Sequence, residues 1–336
     1  MRPDVVRSRK RWGHTTQLLT GSCVLLSSLI LAAQNAPRLP PPKEIAAPEI
    51  PGVIARGIKI QLVNGDLRRT EGPVGMQDGG IVFTDANKLT RIDPHGMIST
   101  LVAVSNDANG LGWDSKSRLI AVQRGAKNEK VGVLYPPEAV ATLADSVNGK
   151  PFSRLNDLVV AKSDRIYFTD ENGVYFLPPG GKVSQIDDVI RNPNGVILSP
   201  DETILYANDK DGEYVIAWDV KADGTVTSRR NFAKYKSLTI PGHKDPLLAE
   251  DNGADGMAMD KDGRLLIATN LGVEVFSPKG DHLGVIPAVW GGDVFMLKKP
   301  QNLTFAGPDK KTLYMVGSGA VFQVQTLTQG VPGRGK

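Results

Sequence analysis

Asn156-Asp157-Leu158-Val159-Val160, then Lys162-Ser163-Asp164, then Ile166-Tyr167-Phe168-Thr169-Asp170 is a polar pair, an apolar run, a charged turn and a second β-rich run. The same order recurs along the chain. Asn194-Gly195-Val196-Ile197-Leu198 leads through Pro200-Asp201-Glu202 to Ile204-Leu205-Tyr206-Ala207-Asn208. Asp255-Gly256-Met257-Ala258-Met259 leads through Lys261-Asp262-Gly263 to Leu265-Leu266-Ile267-Ala268-Thr269. Weaker copies start at Glu71-Gly72-Pro73, Asn109-Gly110-Leu111 and Asn302-Leu303-Thr304. The copies begin at 71, 109, 156, 194, 255 and 302, so the spacings are 38, 47, 38, 61 and 47.

A repeat of this length with several short strands per unit is the pattern of a propeller blade. Asp-Gly and Pro-Asp clusters between β-rich runs are hairpin signals. No stretch after the N-terminal segment keeps a helical period over three turns. The expected fold is therefore all-β, a six-bladed β-propeller over 58–328 with a central channel. A pair of β-sandwiches is the competing architecture.

Outward from the repeats, the two ends read differently. Residues 1–33 carry Arg2, Arg7, Arg9, Lys10 and Arg11 against Asp4, then an uncharged apolar run from Leu18 to Ala33. That run is short for a membrane span, which needs ~20 apolar residues. It reads as a signal peptide cleaved near Ala33 or Ala36, with an uncleaved anchor as the alternative. Localisation is then periplasmic or secreted, with no stable membrane insertion after cleavage. Cys23 lies inside the apolar run, a poor place for a lipid-modified cysteine, and Arg9-Lys10-Arg11 only loosely matches a twin-arginine signal. Residues 34–57 hold prolines at 37, 40, 41, 42, 48 and 51 and read as a linker. Residues 329–336 read as a flexible tail.

The chain has 40 Lys and Arg against 36 Asp and Glu. Without residues 1–33 the balance is 35 against 35, so the basic excess is no argument for nucleic acid. Cys23 is the single cysteine, which excludes disulfides, thiolate metal sites and a cysteine nucleophile from the remainder. The four histidines have no paired spacing, and there is no Gly-x-Ser-x-Gly elbow and no phosphate-binding glycine loop. A zinc hydrolase and a serine hydrolase both lack support.

The six anchors, Glu71, Asn109, Asn156, Asn194, Asp255 and Asn302, each precede what would be an inner strand. In a propeller they converge at one mouth of the channel. Carboxylate and amide oxygens are hard ligands that suit Ca²⁺ or Mg²⁺. Each Asn-Gly or Asp-Gly alone also reads as a turn.

With these residues in hand, the chain resembles the calcium-dependent lactonases of the gluconolactonase, regucalcin (senescence marker protein) and luciferin-regenerating-enzyme type. Squid-type diisopropylfluorophosphatase is a more distant likeness. Glu71-Gly72-Pro73, Arg154-Leu155-Asn156-Asp157, Pro193-Asn194-Gly195-Val196 and Ala254-Asp255-Gly256-Met257 carry the resemblance, which covers roughly 60–325. It implies one divalent cation, Ca²⁺ first and Mg²⁺, Mn²⁺ or Zn²⁺ as alternatives, held by Glu71, Asn156, Asn194 and Asp255. It implies opening of a small-molecule lactone or ester, with Asp255 as catalytic base or nucleophile and Arg154 on the substrate. Asn109 is expected to face the substrate. One departure is Val74-Gly75, where relatives often carry a bulky aromatic; it is expected to widen the mouth. The long spacing before Asp255 leaves an extra segment from Lys234 to Gly253, expected as a lid that brings His243 and Lys244 to the substrate. A monomer is expected. The competing reading is a non-enzymatic binding propeller with a structural calcium, and organophosphate hydrolysis would use the same ligands.

Overall fold

In the computed structural model, which describes residues 44–125, 129–237, 252–287 and 299–333, consecutive strands pair antiparallel into six sheets arranged in a ring. Strands β1 (Glu44–Ala46) and β2 (Lys59–Asn64) come first. Blade one is β3 (Thr70–Gly75), β4 (Ile81–Asp85), β5 (Lys88–Ile92) and β6 (Ile98–Val102). Blade two is β7 (Ala108–Trp113), β8 (Leu119–Gln123), β9 (Lys130–Tyr135) and β10 (Ala141–Ala144). A two-stranded hairpin, β11 (Ser146–Val147) and β12 (Lys150–Pro151), leads to blade three: β13 (Leu158–Val160), β14 (Ile166–Asp170), β15 (Gly173–Leu177) and β16 (Ser184–Asp187). Blade four is β17 (Pro193–Leu198), β18 (Ile204–Asp209), β19 (Tyr214–Val220) and β20 (Val226–Lys234). Blade five is β21 (Met257–Met259), β22 (Leu265–Thr269), β23 (Gly272–Phe276) and β24 (His282–Ile286). Blade six joins β25 (Asn302–Ala306), β26 (Thr312–Gly317) and β27 (Ala320–Gln325) to β2 and then β1.

The first strand of each blade touches that of the next, and β25 touches β3, so the ring closes. The expected six blades are thus present and the sandwich alternative falls. Burial falls from the inside out: β3, β17 and β25 are buried throughout, whereas β6 and most of β20 are exposed. Six apolar clusters fill the six gaps between neighbouring blades. A blade buries both faces of its inner strands against two neighbours, which is why those strands read as continuous apolar runs.

The turns between the first and second strands of blades two and five share one device. Asp114 Oδ1 accepts from the backbone N–H groups of Lys116 and Arg118 at 3.0 and 2.8 Å. Asp260 does the same for Asp262 and Arg264 at 3.0 and 2.7 Å. An aspartate that holds its own turn supplies a backbone-like bond where a hairpin needs one.

Two expected boundaries differ. The proline-rich stretch is packed from its second half onward: Ala47, Ile50, Val53 and Ile54 are buried in the cluster between blades five and six. Pro48 and Pro51 are exposed on a tight turn in which the Ile54 N–H donates to Ile50 at 2.9 Å. The apolar residues between the prolines, and not the prolines, decide its fate. The C-terminal stretch is also held. Lys261 donates to the Gln329 carbonyl at 2.8 Å, Gly330 donates to Lys310 at 2.9 Å, and Val331 is buried against blades four and five. The signal-peptide reading of 1–33 lies outside the described residues, as do His243 and Lys244. Among the described residues no helix is long and apolar enough to cross a membrane.

Candidate metal and catalytic centre

The anchors sit where the first strand of a blade starts, opposite the end of the second. Glu71 pairs with Thr84, Ala108 with Gln123, and Pro193 with Asp209. In blades one, two and four the register slips just there, between Glu71 and Val74, Ala108 and Leu111, and Pro193 and Val196. Such bulges turn a side chain out of its strand's alternation. The Glu-Gly-Pro, Asn-Gly and Asn-Gly sequences supply the small residue that the slip requires. Gly72 adopts φ +47, and a Cβ there would overlap the Asn109 carbonyl oxygen. A Cβ on Gly110 would press on Asp157, and one on Gly256 on the Asn302 side chain.

Each anchor is tied to a neighbouring blade. Asn109 Nδ2 donates to the carbonyl and to the Oδ1 of Asn156 at 2.9 and 3.0 Å. Thr169 Oγ1 donates to the Asn194 carbonyl at 2.6 Å. Asn208 Nδ2 donates to the Asp255 carbonyl. Gly256 N–H donates to Gln301 at 2.6 Å, and Asn302 Nδ2 to Glu71 Oε2 at 3.2 Å. Glu71 Oε2 also accepts from the Gly72 N–H at 2.9 Å.

The electrostatics follow from burial. Glu71 and Asp255 are 5% and 7% exposed. Desolvation raises both carboxyls, Asp255 well above the usual range, and each is raised further by a neighbouring carboxylate: Glu71 by Asp157, Asp255 by Glu71. Arg124 partly offsets this at Glu71, and Lys299 and Lys210 at Asp255. Asn194 Oδ1 is buried and has no hydrogen-bond partner among the described residues. A buried acceptor left unmet costs about 1–3 kcal/mol, and a cation would satisfy it. Among the described residues no three His, Cys, Asp or Glu side chains form an ion site by themselves, so an ion here must draw on amide oxygens. Two carboxylates with the Oδ1 atoms of Asn156 and Asn194 are a donor set that fits a hard divalent cation.

Of the residues singled out from sequence, Glu71, Asn109, Asn156, Asn194, Asp255 and Asn302 occupy this end of the ring. Arg154 does not join them: its side chain is 82% exposed and lies 4.0 Å from Glu171. Arg154 has φ +53, and Glu129 holds its N–H at 2.9 Å. The backbone turn that presents Asn156 directs the preceding arginine outward. Asn302 is offset by one residue. Gln301 accepts the interblade bond as Asn156 does, from Gly256 as Asn156 from Gly110. Asn302 instead matches Asp157, each accepting from the following N–H at 2.9 Å. Asp157, Arg124, Lys210 and Lys299 contribute to the centre and are not apparent from sequence. Asp157 stands out there only as the neighbour of Asn156. Arg124 and Lys210 follow the second strands of blades two and four, and their signal is positional: each is one residue beyond the partner of the residue before an anchor. The expected lid lies mostly outside the described residues; near its start, Lys236 and Ser237 donate their N–H groups to Glu274 at 2.8 and 3.2 Å.

The comparisons agree with the fold. Residues 69–319 match the family model described as SMP-30/Gluconolactonase/LRE-like region. A gluconolactonase of Zymomonas mobilis is 28% identical over 324 residues, covering 84% of this chain and 86% of that protein. Among solved structures, a gluconolactonase of Xanthomonas campestris superposes with TM-score 0.68 at 23% identity, covering 86% of this chain and 99% of that one. The calcium-binding protein regucalcin of Agrobacterium tumefaciens gives TM-score 0.63 at 19% identity, covering 80% and 94%. With the family model spanning most of the chain and the blades closing as they do, this protein belongs to the SMP-30/gluconolactonase/LRE-like family.

Proposed function

We propose that the protein is a lactonase that hydrolyses a sugar-type lactone with the help of one divalent cation, Ca²⁺ first. The observation that carries the reading is the pair of buried, mutually repelling carboxylates Glu71 and Asp255 at the end of the ring that also holds Asn194, whose Oδ1 has no hydrogen-bond partner among the described residues. The Zymomonas mobilis gluconolactonase, similar over most of both chains, supports the reaction class. The calcium-binding regucalcin structure supports the choice of ion.

Glu71, Asn156, Asn194 and Asp255 would hold the ion. When bound, it supplies Lewis-acid polarisation of the ester carbonyl. Glu71 is kept in place by Gly72 and Asn302, and Asn156 by Asn109. Asp255 takes a proton from the attacking water as its oxygen bonds to the carbonyl carbon, and returns it to the ring oxygen as the ring C–O bond breaks. In the alternative Asp255 attacks the carbonyl itself. That attack breaks the ring C–O bond and leaves an anhydride that water then opens. Label found in Asp255 after a single turnover in ¹⁸O water would demonstrate this route, because the general-base route puts label only in the product.

The test is hydrolysis of D-glucono-1,5-lactone after chelation and after return of Ca²⁺, Mg²⁺, Mn²⁺ or Zn²⁺. Turnover restored by an ion and reduced about 10²–10⁴-fold in Asp255→Asn is the expected outcome. No turnover on any sugar lactone, with a melting temperature that still responds to chelation, would make the protein a binding propeller with a structural ion. The charged start and apolar run of residues 1–33 extend the proposal to export. Mass spectrometry of the mature N-terminus checks it, and an intact Met1 in the fractionated protein would refute cleavage.

A further inference from the structure

Arg124 is placed with unusual care for a residue outside the ligand set. It follows Gln123, the strand partner of Ala108, and so emerges beside Asn109. Its Nε donates to the carbonyl of Leu155, the residue before Asn156. That bond fixes the plane of the guanidinium. Among the described residues, its two terminal nitrogens have no hydrogen-bond partner. The nearby Glu129 does not satisfy them: its two oxygens accept from the N–H groups of Arg154 and Leu155 at 2.9 and 2.7 Å. Burial makes the guanidinium costly to hold as a cation; Glu71 and Asp255 favour its charge without a direct ion pair among the described residues, and Arg69 opposes it.

A divalent ion held by Glu71 and Asp255 would take up those two carboxylates. The guanidinium would then remain half-buried with Glu129 as the one carboxylate left acting on it, and both Glu129 oxygens already accept from backbone N–H groups, while Lys210 and Lys299 act on Asp255 close by. An uncompensated cation away from bulk water is unfavourable, and a neutral sugar hydroxyl corrects it poorly. A planar fork with two unspent nitrogens is matched by a carboxylate or phosphate.

Building on the lactonase reading, we propose that Arg124 is the specificity-determining residue of this centre and that the preferred substrate is an acidic sugar lactone, one carrying a carboxylate or phosphate besides its ring ester.

D-Glucaro-1,4-lactone and D-glucono-1,4-lactone differ only in a carboxylate against a hydroxymethyl group, so their kcat/KM ratio reads the proposal directly. The ratio is expected at about tenfold or more in favour of the acidic lactone. It should fall as salt rises from about 0.05 to 0.5 M, because screening weakens a charge contact. It should collapse toward one in Arg124→Gln and recover in part in Arg124→Lys. The 6-phosphate of D-gluconolactone, run in parallel, tells phosphate from carboxylate. Turnover of both 1,4-lactones at a ratio of one or less would overturn the inference and leave the lactonase reading intact. If neither is turned over, the lactonase reading falls only if D-glucono-1,5-lactone is untouched as well, and calorimetry decides the inference. Glucarate must bind the Ca²⁺-loaded protein more tightly than gluconate, and equal dissociation constants would overturn it. Should Arg124→Gln fail to fold, the salt dependence of the wild-type ratio decides the same question: a ratio that holds steady across that salt range would overturn the charge contact.

Discussion

The side-chain amide of Asn302 donates to Glu71 Oε2 at 3.2 Å across 231 residues of sequence, so the last blade positions a carboxylate of the first. Glu71 therefore owes its orientation to two donors, its own neighbour Gly72 and a residue from the far end of the chain.

Asn302→Leu removes that donor and the bond it makes to the Leu303 N–H. A loss of about 1–3 kcal/mol is expected in urea unfolding. Calorimetric Ca²⁺ affinity should weaken as well. A variant of unchanged affinity would show that Gly72 alone suffices to hold Glu71.

Gly57 and Gly72 form a matched pair, both at positive φ, +78 and +47. Around Gly57 a Cβ meets nothing within 4 Å, whereas at Gly72 it overlaps the Asn109 carbonyl. Gly57→Ala should cost about 1 kcal/mol, from the backbone conformation alone. Gly72→Ala should lower the melting temperature much further and disturb the Asn109–Asn156 contact. Equal losses in thermal unfolding would refute the close-approach argument.

Asn194→Leu is expected to act in opposite directions on stability and on ion binding. In chelator the variant should melt higher than the wild type, since a buried oxygen without a partner is gone, an effect of about 1–3 kcal/mol. The same variant should lose the rise in melting temperature expected of the wild type on addition of Ca²⁺. A wild-type-like response to Ca²⁺ would remove Asn194 from the ligand set.

The acid limb of stability should carry a contribution from His282. Burial lowers its pKa below the ordinary 6.5 and Lys236 adds to this, although Glu274, 3.4 Å away, pulls the other way. The folded state therefore holds His282 neutral more readily than the unfolded chain does. The stabilisation is complete above the unfolded pKa and is lost as pH falls below about 6.5 toward the folded value. His282→Gln should flatten the melting temperature between about pH 7 and 5. An unchanged slope would assign the acid limb to other groups.

Legibility in the sequence followed the physics of each feature. Periodic features were plain: the polar anchor before an apolar run, the aspartate turn and the second run recur because each blade solves the same burial problem. Single-residue features were not. Arg124 is one basic residue after one strand, and only the strand pairing reveals that it stands beside Asn109. Arg154 carried a family motif, yet its φ of +53 sends the side chain to solvent. Asn302 looked like Asn194 in a string of letters, while its hydrogen bonds make it the counterpart of Asp157. Residues 47–54 were hidden by their prolines, because burial between blades five and six depends on partners more than 200 residues away.

The place of β2 has a consequence in time. Gln61 sits beside Gln323, which lies 262 residues further along the chain. A ribosome adding about 5–20 residues per second needs roughly 15 to 50 seconds to cover that distance. Throughout that interval β2 can pair only with β1, its other edge waits for β27, and the groove destined for Ile50 and Ile54 lacks the walls that blades five and six supply. Nascent chains should accordingly stay open and accessible to chaperones or to a translocation channel until the last strand emerges, then lock in a single closing event.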